Sequence, residues 1–353
     1  MIFNMNMSYV VSRVTVKFAY GAIVTAEFNG SPMLTAQNTT GEYTFLIPAP
    51  GLWTFRAVAG LSDTTRTINI EVGHNYTLYL PSEPVFTYTG NMESGSPVID
   101  SDGNWLIRFT SGGTLTFTQY SPAGIDVFLV GGGGGAGQDS GTPQYSGGGG
   151  GGYTQTHPEV RTALNTEYAI VIGAGGGVEA DGGNSSAFGF SVAGGKHGSY
   201  ARGGDGGSGG SSGNHIDNLT SMVGRSGGSD GGNGDLGYQN DYIPGGGWTD
   251  TELTAGGQAG IGQGSTTREF GEANGRLYSG GGGGHQAYGG DGGGGKGACS
   301  TSTSSLGTDN TGGGGGGGGA DPRDHYSYGG YPSRAGGSGI VVIRNTRVAV
   351  VDN

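Results

Sequence analysis

Glycine constrains this chain more than any other feature of its sequence. It occupies 85 of 353 positions, against about 7% in average proteins. Each glycine inside an α-helix costs about 1 kcal/mol relative to alanine, which argues against helical bundles and helical repeats. Collagen needs glycine at every third position and much proline, whereas this chain has 12 prolines and uneven glycine runs. Hydrophobic residues make up only 33% of the chain, too few for an ordinary α/β enzyme.

The charge and cysteine content narrow the range of partners. The formal net charge is −12, and the 16 basic residues are scattered, which predicts no nucleic-acid partner because phosphate binding needs clustered Lys and Arg. A single cysteine, Cys299, predicts neither an internal disulfide nor a cysteine-based metal site. We also expect a soluble chain made without a signal peptide, since its start lacks a basic segment followed by an apolar core.

Composition divides the chain into consecutive zones. Residues 1–81 are predicted to form a small β-sandwich, because short runs rich in Val, Ile, Thr, Tyr and Phe alternate with Gly, Pro and Asn. Residues 82–103 are predicted to be a linker without regular elements, and residues 104–345 a glycine-rich domain followed by a tail at 346–353. The strand-like runs of the sandwich are Val14–Phe18, Ala22–Phe28, Glu42–Ile47, Trp53–Val58, Thr65–Val72 and Tyr76–Leu80.

The glycine-rich zone lies between two apolar strands, Ile125–Val130 and Ile340–Ile343, and holds 73 glycines between residues 131 and 339. One interpretation is a flexible linker. The alternative is a packed array, because glycine segments in extended helices with three residues per turn lie close enough to exchange backbone hydrogen bonds. The flanking strands and the many tyrosines between the runs favour the packed array.

The order of strands and glycine runs resembles a known family. The resemblance rests on four segments. In chain order they are Ile125–Val130 with the five glycines after it, Tyr168–Gly176, Ser186–Gly189 and the closing Gly337–Ile343. This order is similar to the glycine-rich domains of phage tail-fibre adhesins, and residues 8–81 resemble an Ig-like spacer of the carboxypeptidase-regulatory or Cna-B type. The fold class that the resemblance implies is all-β plus polyglycine II, with an Ig-like sandwich before packed polyglycine helices.

The resemblance also implies a function. It predicts a receptor-binding protein, not an enzyme, at the tip of a tail fibre in the virion, with a bacterial surface protein or polysaccharide and other tail proteins as partners. A homotrimer is one expectation, since fibre tips are often trimeric. The alternatives are a structural or assembly module, and a glycan-active enzyme.

Aromatic segments between the glycine runs are the candidates for receptor contact, because Tyr and Trp give large contact areas at low entropic cost. Some of them are alternatively expected to form a small core against the array. The candidate residues are Tyr145, Tyr238, Tyr242, Trp248, Tyr278, His285, Tyr288, His325, Tyr326, Tyr328 and Tyr331.

Two further motifs could indicate a bound dinucleotide or a bound calcium ion, but neither motif is complete. Gly132, Gly134 and Gly137 have the spacing of a dinucleotide fingerprint, but the residues that follow do not predict the helix it requires. Asp-Gly-Gly at Asp181, Asp205, Asp230 and Asp291 raises the alternative of calcium, although turns explain such pairs well. We therefore predict no cofactor and no metal.

Overall fold

A computed structural model describes most of the chain. The described residues are 11–18, 22–37, 41–59, 62–80, 85–95, 97–100, 104–118, 124–138, 146–199, 202–213, 254–255, 267–285, 287–298, 303–319 and 331–346. Within these ranges, we find no helix with the length and apolarity that crossing a bilayer requires.

The N-terminal unit is a two-sheet β-sandwich. Its strands are β1 (Ser12–Lys17), β2 (Ile23–Phe28), β3 (Ser31–Gln37), β4 (Glu42–Ile47), β5 (Gly51–Ala59), β6 (Ser62–Ile70) and β7 (Asn75–Tyr79). One sheet has the order β4-β1-β7 and the other β3-β2-β5-β6. Alternate residues of the strands point inward, and Phe18, Trp53 and Phe55 are fully buried between the sheets.

Strand β3 was not predicted from the sequence. This strand pairs with β2 through a tight turn at Asn29 and Gly30, both with positive φ, the conformation that favours these residues in hairpins. Its sequence includes Pro32, and its side chains are mostly exposed. It therefore lacks the apolar alternation that marks a strand.

The second unit contains two five-stranded sheets and a glycine array. Its strands are β8 (Phe86–Tyr88), β9 (Val98–Ile99), β10 (Trp105–Phe109), β11 (Gly113–Phe117), β12 (Ile125–Val130), β13 (Thr154–Val160), β14 (Glu167–Val171), β15 (Ser185–Ala187), β16 (Phe190–Val192), β17 (Thr254–Ala255), β18 (Ala287–Tyr288) and β19 (Ile340–Asn345). The sheet orders are β13-β12-β19-β10-β9 and β16-β15-β14-β11-β8, and the short strands β17 and β18 pair separately.

The two five-stranded sheets enclose the main core of this unit, which includes Trp105, Phe117 and Ile343. Strands β12 and β19 are buried along their whole length. This explains their continuous apolar sequences, since a strand covered on both faces shows no alternation. The prediction of an all-β fold with a glycine-rich domain is confirmed.

One expectation for this unit was wrong. The segment 82–103 was expected to lack regular elements, but β8 pairs with β11 and β9 pairs with β10, so it adds an edge strand to each sheet.

Strands β15 and β16 form a hairpin. Phe188 and Gly189 adopt positive φ in its turn, the conformation of a type I′ turn.

The glycine runs are packed helices with three residues per turn. In the run 131–137, every third N–H donates to the same neighbour: Gly131 to Tyr153 O (2.9 Å), Gly134 to Gly150 O (2.8 Å) and Gly137 to Gly147 O (3.0 Å). The other N–H and C=O groups bond to further segments, including those around Ala180, Arg334, Gly195 and Gly315. This period of three is that of a left-handed extended helix, which has no internal hydrogen bonds and directs its backbone groups outward.

Side-chain oxygens complete this array where the backbone of a neighbour is missing. The Gly313 N–H donates to Thr311 Oγ1 (3.2 Å), and the Gly173 N–H donates to Ser185 Oγ (2.9 Å). Ser333 Oγ accepts from the Gly318 N–H (3.0 Å) and donates to the Gly137 carbonyl. The serines and threonines between glycines thus satisfy buried backbone groups, which would otherwise destabilise the fold.

The N-terminal sandwich contacts the second unit at the end of its sheets. Arg66 donates to Asn104 Oδ1 (2.6 Å), and Lys17 lies 3.5 Å from Glu159. The side chain of Asn345, at the end of β19, binds Asn104 (3.0 Å) and the Trp105 N–H (2.7 Å). This contact lies at the end of β19 that is remote from the glycine array.

Candidate recognition face

The hydrogen-bond register of the glycine array distinguishes the end that adjoins the sheets from the end that lies far from them. Residue 131 follows β12 and residue 339 precedes β19, so these ends of the array adjoin the sheets. At this near level, the Gly152 N–H donates to Gly312 O (2.8 Å) and the Gly312 N–H donates to Ser338 O (2.8 Å). With a rise of about 3.1 Å per residue, Gly137 lies roughly 19 Å further out than Gly131.

The far level of the array forms one face, which we call the distal face. It is defined by residues whose backbones pair there: Gly137 with Gly147, Gly147 with Ser199, Ser146 with Gly318 and His285, Ala298 with Gly317, and Gly319 with Tyr331. The pairing distances are 2.7 to 3.1 Å. Seven segments of the array therefore end at a common level, fixed by their hydrogen bonds.

Several connections of the chain start and end on the distal face. Residues 138 and 146, 199 and 202, 285 and 287, 298 and 303, and 319 and 331 flank them. Residue 213 also lies there, beside Gly284. Most of the aromatic segments that the sequence analysis selected are thus anchored at the same end of the molecule, although they are far apart in sequence.

Two candidate residues are described and accessible near this face. Tyr288, at the end of β18, is 57% exposed, and Tyr331 is half-buried, with its backbone paired to Gly319 in both directions. The other candidates on or beyond the connections lie outside the described residues and stay predictions. They are Tyr145, Tyr238, Tyr242, Trp248, His325, Tyr326 and Tyr328.

Tyr278 and His285 are not surface residues, which corrects their selection as exposed contacts. Tyr278 is fully buried against Phe128, Val130 and Val342, so it takes the alternative role of a core aromatic. His285 is 2% exposed, and burial lowers the pKa of its imidazole to about 3. A neutral ring packed inside the array cannot contact a receptor.

The segment around Tyr278 is held by buried charges that sequence reasoning did not anticipate. Residues 267–279 cover the outer face of the β12–β19 sheet. The Glu269 carboxylate, in a 3-10 turn, accepts from Arg108 Nη2 (2.8 Å) and from the Tyr278 hydroxyl (2.8 Å). Burial, followed by the charge of Glu269, raises the pKa of Tyr278. We call this group the Glu269 cluster.

A second arginine fastens the same segment. Arg344 on β19 binds Asp126 (3.1 Å) and Glu272 (2.6 Å), and its guanidinium lies 3.9 Å from the centre of the Phe270 ring. Charged residues at Arg108 and Arg344 interrupt otherwise apolar strands, and this is the one sequence signal that could have revealed a polar partner there. Residues 267–279, which include the candidate Tyr278, thus cover the sheet and are not a free recognition loop.

The Asp-Gly-Gly motifs at Asp181, Asp205 and Asp291 share no cation site, and Asp230 lies outside the described residues. The Asp181 carboxylate accepts from Lys196 Nζ (2.7 Å) and from the His197 N–H (3.0 Å). Although partial burial opposes it, these bonds lower the pKa of Asp181 to about 2. Among the described residues, no three His, Cys, Asp or Glu side chains group as metal ligands.

A family model described as a glycine-rich domain matches residues 110–346. The chain belongs to this glycine-rich domain family. No curated protein matches it significantly. A DUF3823 family protein from Bacteroides ovatus matches 58% of this chain and 97% of its own at 9% identity, with a TM-score of 0.20. A similarity this low carries no argument about fold or function.

Proposed function

We propose that this protein is a receptor-binding adhesin at the tip of a phage tail fibre, and that it binds a bacterial surface receptor through the distal face. The observation that carries the proposal is the common level of the glycine runs. It gathers connections from five parts of the chain on one face of a hydrogen-bonded array. A rigid support lowers the entropic cost of ordering a binding surface.

The placement of the N-terminal sandwich at one end and of the distal face at the other supports the same function. The N-terminal sandwich contacts the sheet end at Asn104 and Glu159, whereas the distal face lies at the other end of the array. A spacer at one end and a binding face at the other suit a protein that projects from a particle. On this proposal, the N-terminal unit faces the other tail proteins.

The first experiment is a pull-down of the purified full chain on envelope fractions of candidate host bacteria. We expect retention by one host's fraction, and a loss of at least tenfold for the Tyr288→Ala/Tyr331→Ala variant. Tyr88→Ala is the matched control, because Tyr88 is 42% exposed on β8, far from the distal face. Retention unchanged in the double variant would contradict the assignment of the face. If no fraction retains the wild type, the structural alternative is favoured.

A further inference from the structure

The two five-stranded sheets of the second unit meet along one side at two edge strands, β13 and β16. Among the described residues, β13 pairs only with β12, and β16 pairs only with β15. The two chain segments are bonded where the array begins, from the Tyr153 N–H to Ala193 O (3.0 Å), but no backbone hydrogen bond joins the described residues of β13 to those of β16. Side chains therefore close this side of the sandwich, which we call the seam.

The ring of His157 closes the seam against the ring of Phe190. His157 lies opposite Val127, and Phe190 lies opposite Ala187. Because directly opposite residues point to the same face of a sheet, both rings point toward the core in which Val127 and Ala187 are buried. The two rings stack with their centroids 3.7 Å apart and their planes at 13°. The Nε2 atom of His157 is buried and has no hydrogen-bond partner.

A positive charge on His157 has no counter-charge in the seam. Strands β15 and β16 carry no titratable residue, and the charged groups on the other elements around the ring are Asp126, Glu159, Arg161 and Lys17. The two carboxylates have cations of their own, since Asp126 binds Arg344 (3.1 Å) and Glu159 lies 3.5 Å from Lys17. Burial lowers the pKa of the His157 imidazole below its ordinary value of 6.5. An imidazolium would also leave a buried donor unpaired at Nε2.

We propose that the seam is an acid-sensitive joint, in which protonation of His157 moves its ring out of the stack with Phe190 and frees the edge strand β13. The closed seam has its full stability above about pH 6.5 and loses stability as the pH falls below this value, because the open form then binds more protons. Glu159 follows on the same chain segment beside Lys17 of the N-terminal sandwich. Opening of the seam therefore also weakens the contact between the two units.

The test is hydrogen exchange of the full chain at about pH 7.5 and about pH 5.5, with each rate divided by the intrinsic rate of that amide at the same pH. An opening coupled to one histidine protonation should become between about threefold and tenfold more frequent at the lower pH. We expect the protection of residues 154–160 to fall by this factor. The Glu159 amide, which donates to Asp126 Oδ1 (3.2 Å) in the closed seam, should follow, whereas β19 in the centre of the sheet should change less.

His157→Phe is the decisive variant, because phenylalanine keeps a flat ring that can stack on Phe190 and cannot be protonated. Its residues 154–160 should keep the same protection at both pH values. His74→Phe is the matched control and should behave as the wild type, since the His74 side chain is 40% exposed on the N-terminal sandwich. His285, the other buried histidine among the described residues, is present in all three proteins, so its protonation cannot explain a difference between them.

Equal losses of protection in His157→Phe and in the wild type, or a loss below about twofold in the wild type, would overturn the acid-sensitive joint. A titration of the wild-type histidine ring protons by NMR is a second measurement that needs no variant to fold. The His157 ring should titrate below the His74 ring, and a midpoint at or above that of His74 would equally overturn the proposal.

Discussion

At the scale of the residue, Gly134 shows why the array needs glycine. A methyl group at this position would lie 2.1 Å from the Lys196 carbonyl oxygen, whereas one at Gly177 would meet no atom within 4 Å. We therefore expect Gly134→Ala to destabilise the fold by about 1–3 kcal/mol, the usual cost of overpacking. Gly177→Ala, the matched control, should change stability little or raise it, since alanine restricts the unfolded chain. Denaturant unfolding measures both; equal effects of the two variants would contradict close packing at Gly134.

At the scale of the element, the Glu269 cluster fastens residues 267–279 to the sheet. Glu269 is 6% exposed, so Arg108→Met leaves a buried carboxylate with Tyr278 as a donor but no cation. We expect the free energy of unfolding to fall by about 3 kcal/mol, as it does when other buried ion pairs lose one partner. Glu269→Gln should cost less, because Arg108 also reaches Glu93 at 3.6 Å. The Arg108→Met/Glu269→Gln double variant should lose less free energy of unfolding than the two single variants lose together. Strictly additive losses in urea unfolding would show that the pair is not coupled.

Elements whose sequence pattern is local could be predicted from the sequence, whereas elements that depend on pairing with a remote segment could not. The strands β12 and β19 were predicted from continuous apolar runs, and the array from glycine content. The exposed strand β3 and the edge strands β8 and β9 were missed, because their partners rather than their composition make them strands. The burial of Tyr278 could not be predicted either, since it depends on the carboxylate of Glu269 and on the outer face of a sheet completed more than 60 residues later.

At the scale of the whole molecule, the last strand completes a five-stranded sheet, and the segment that leads into it belongs to the glycine array. Strand β19 lies between β10 and β12, and the run that leads into it, residues 331–339, bonds to the first run through Gly133 and Ala136. The sheet and the array therefore depend on the same late segment of the chain. We expect them to fold as one cooperative unit, whereas the N-terminal sandwich has a core of its own.

Hydrogen exchange of the Ile343→Asp variant tests this coupling. Ile343 is fully buried between the two five-stranded sheets, and an unpaired carboxylate there is strongly unfavourable. In the wild type, amides of residues 132–137 should exchange as slowly as those of β12, because both open only with the whole unit. In the variant, both segments should lose protection together while β2 and β5 keep theirs. Rapid exchange of residues 132–137 in the wild type would instead indicate a flexible tether, and the distal face would lose the rigid support on which its proposed function depends.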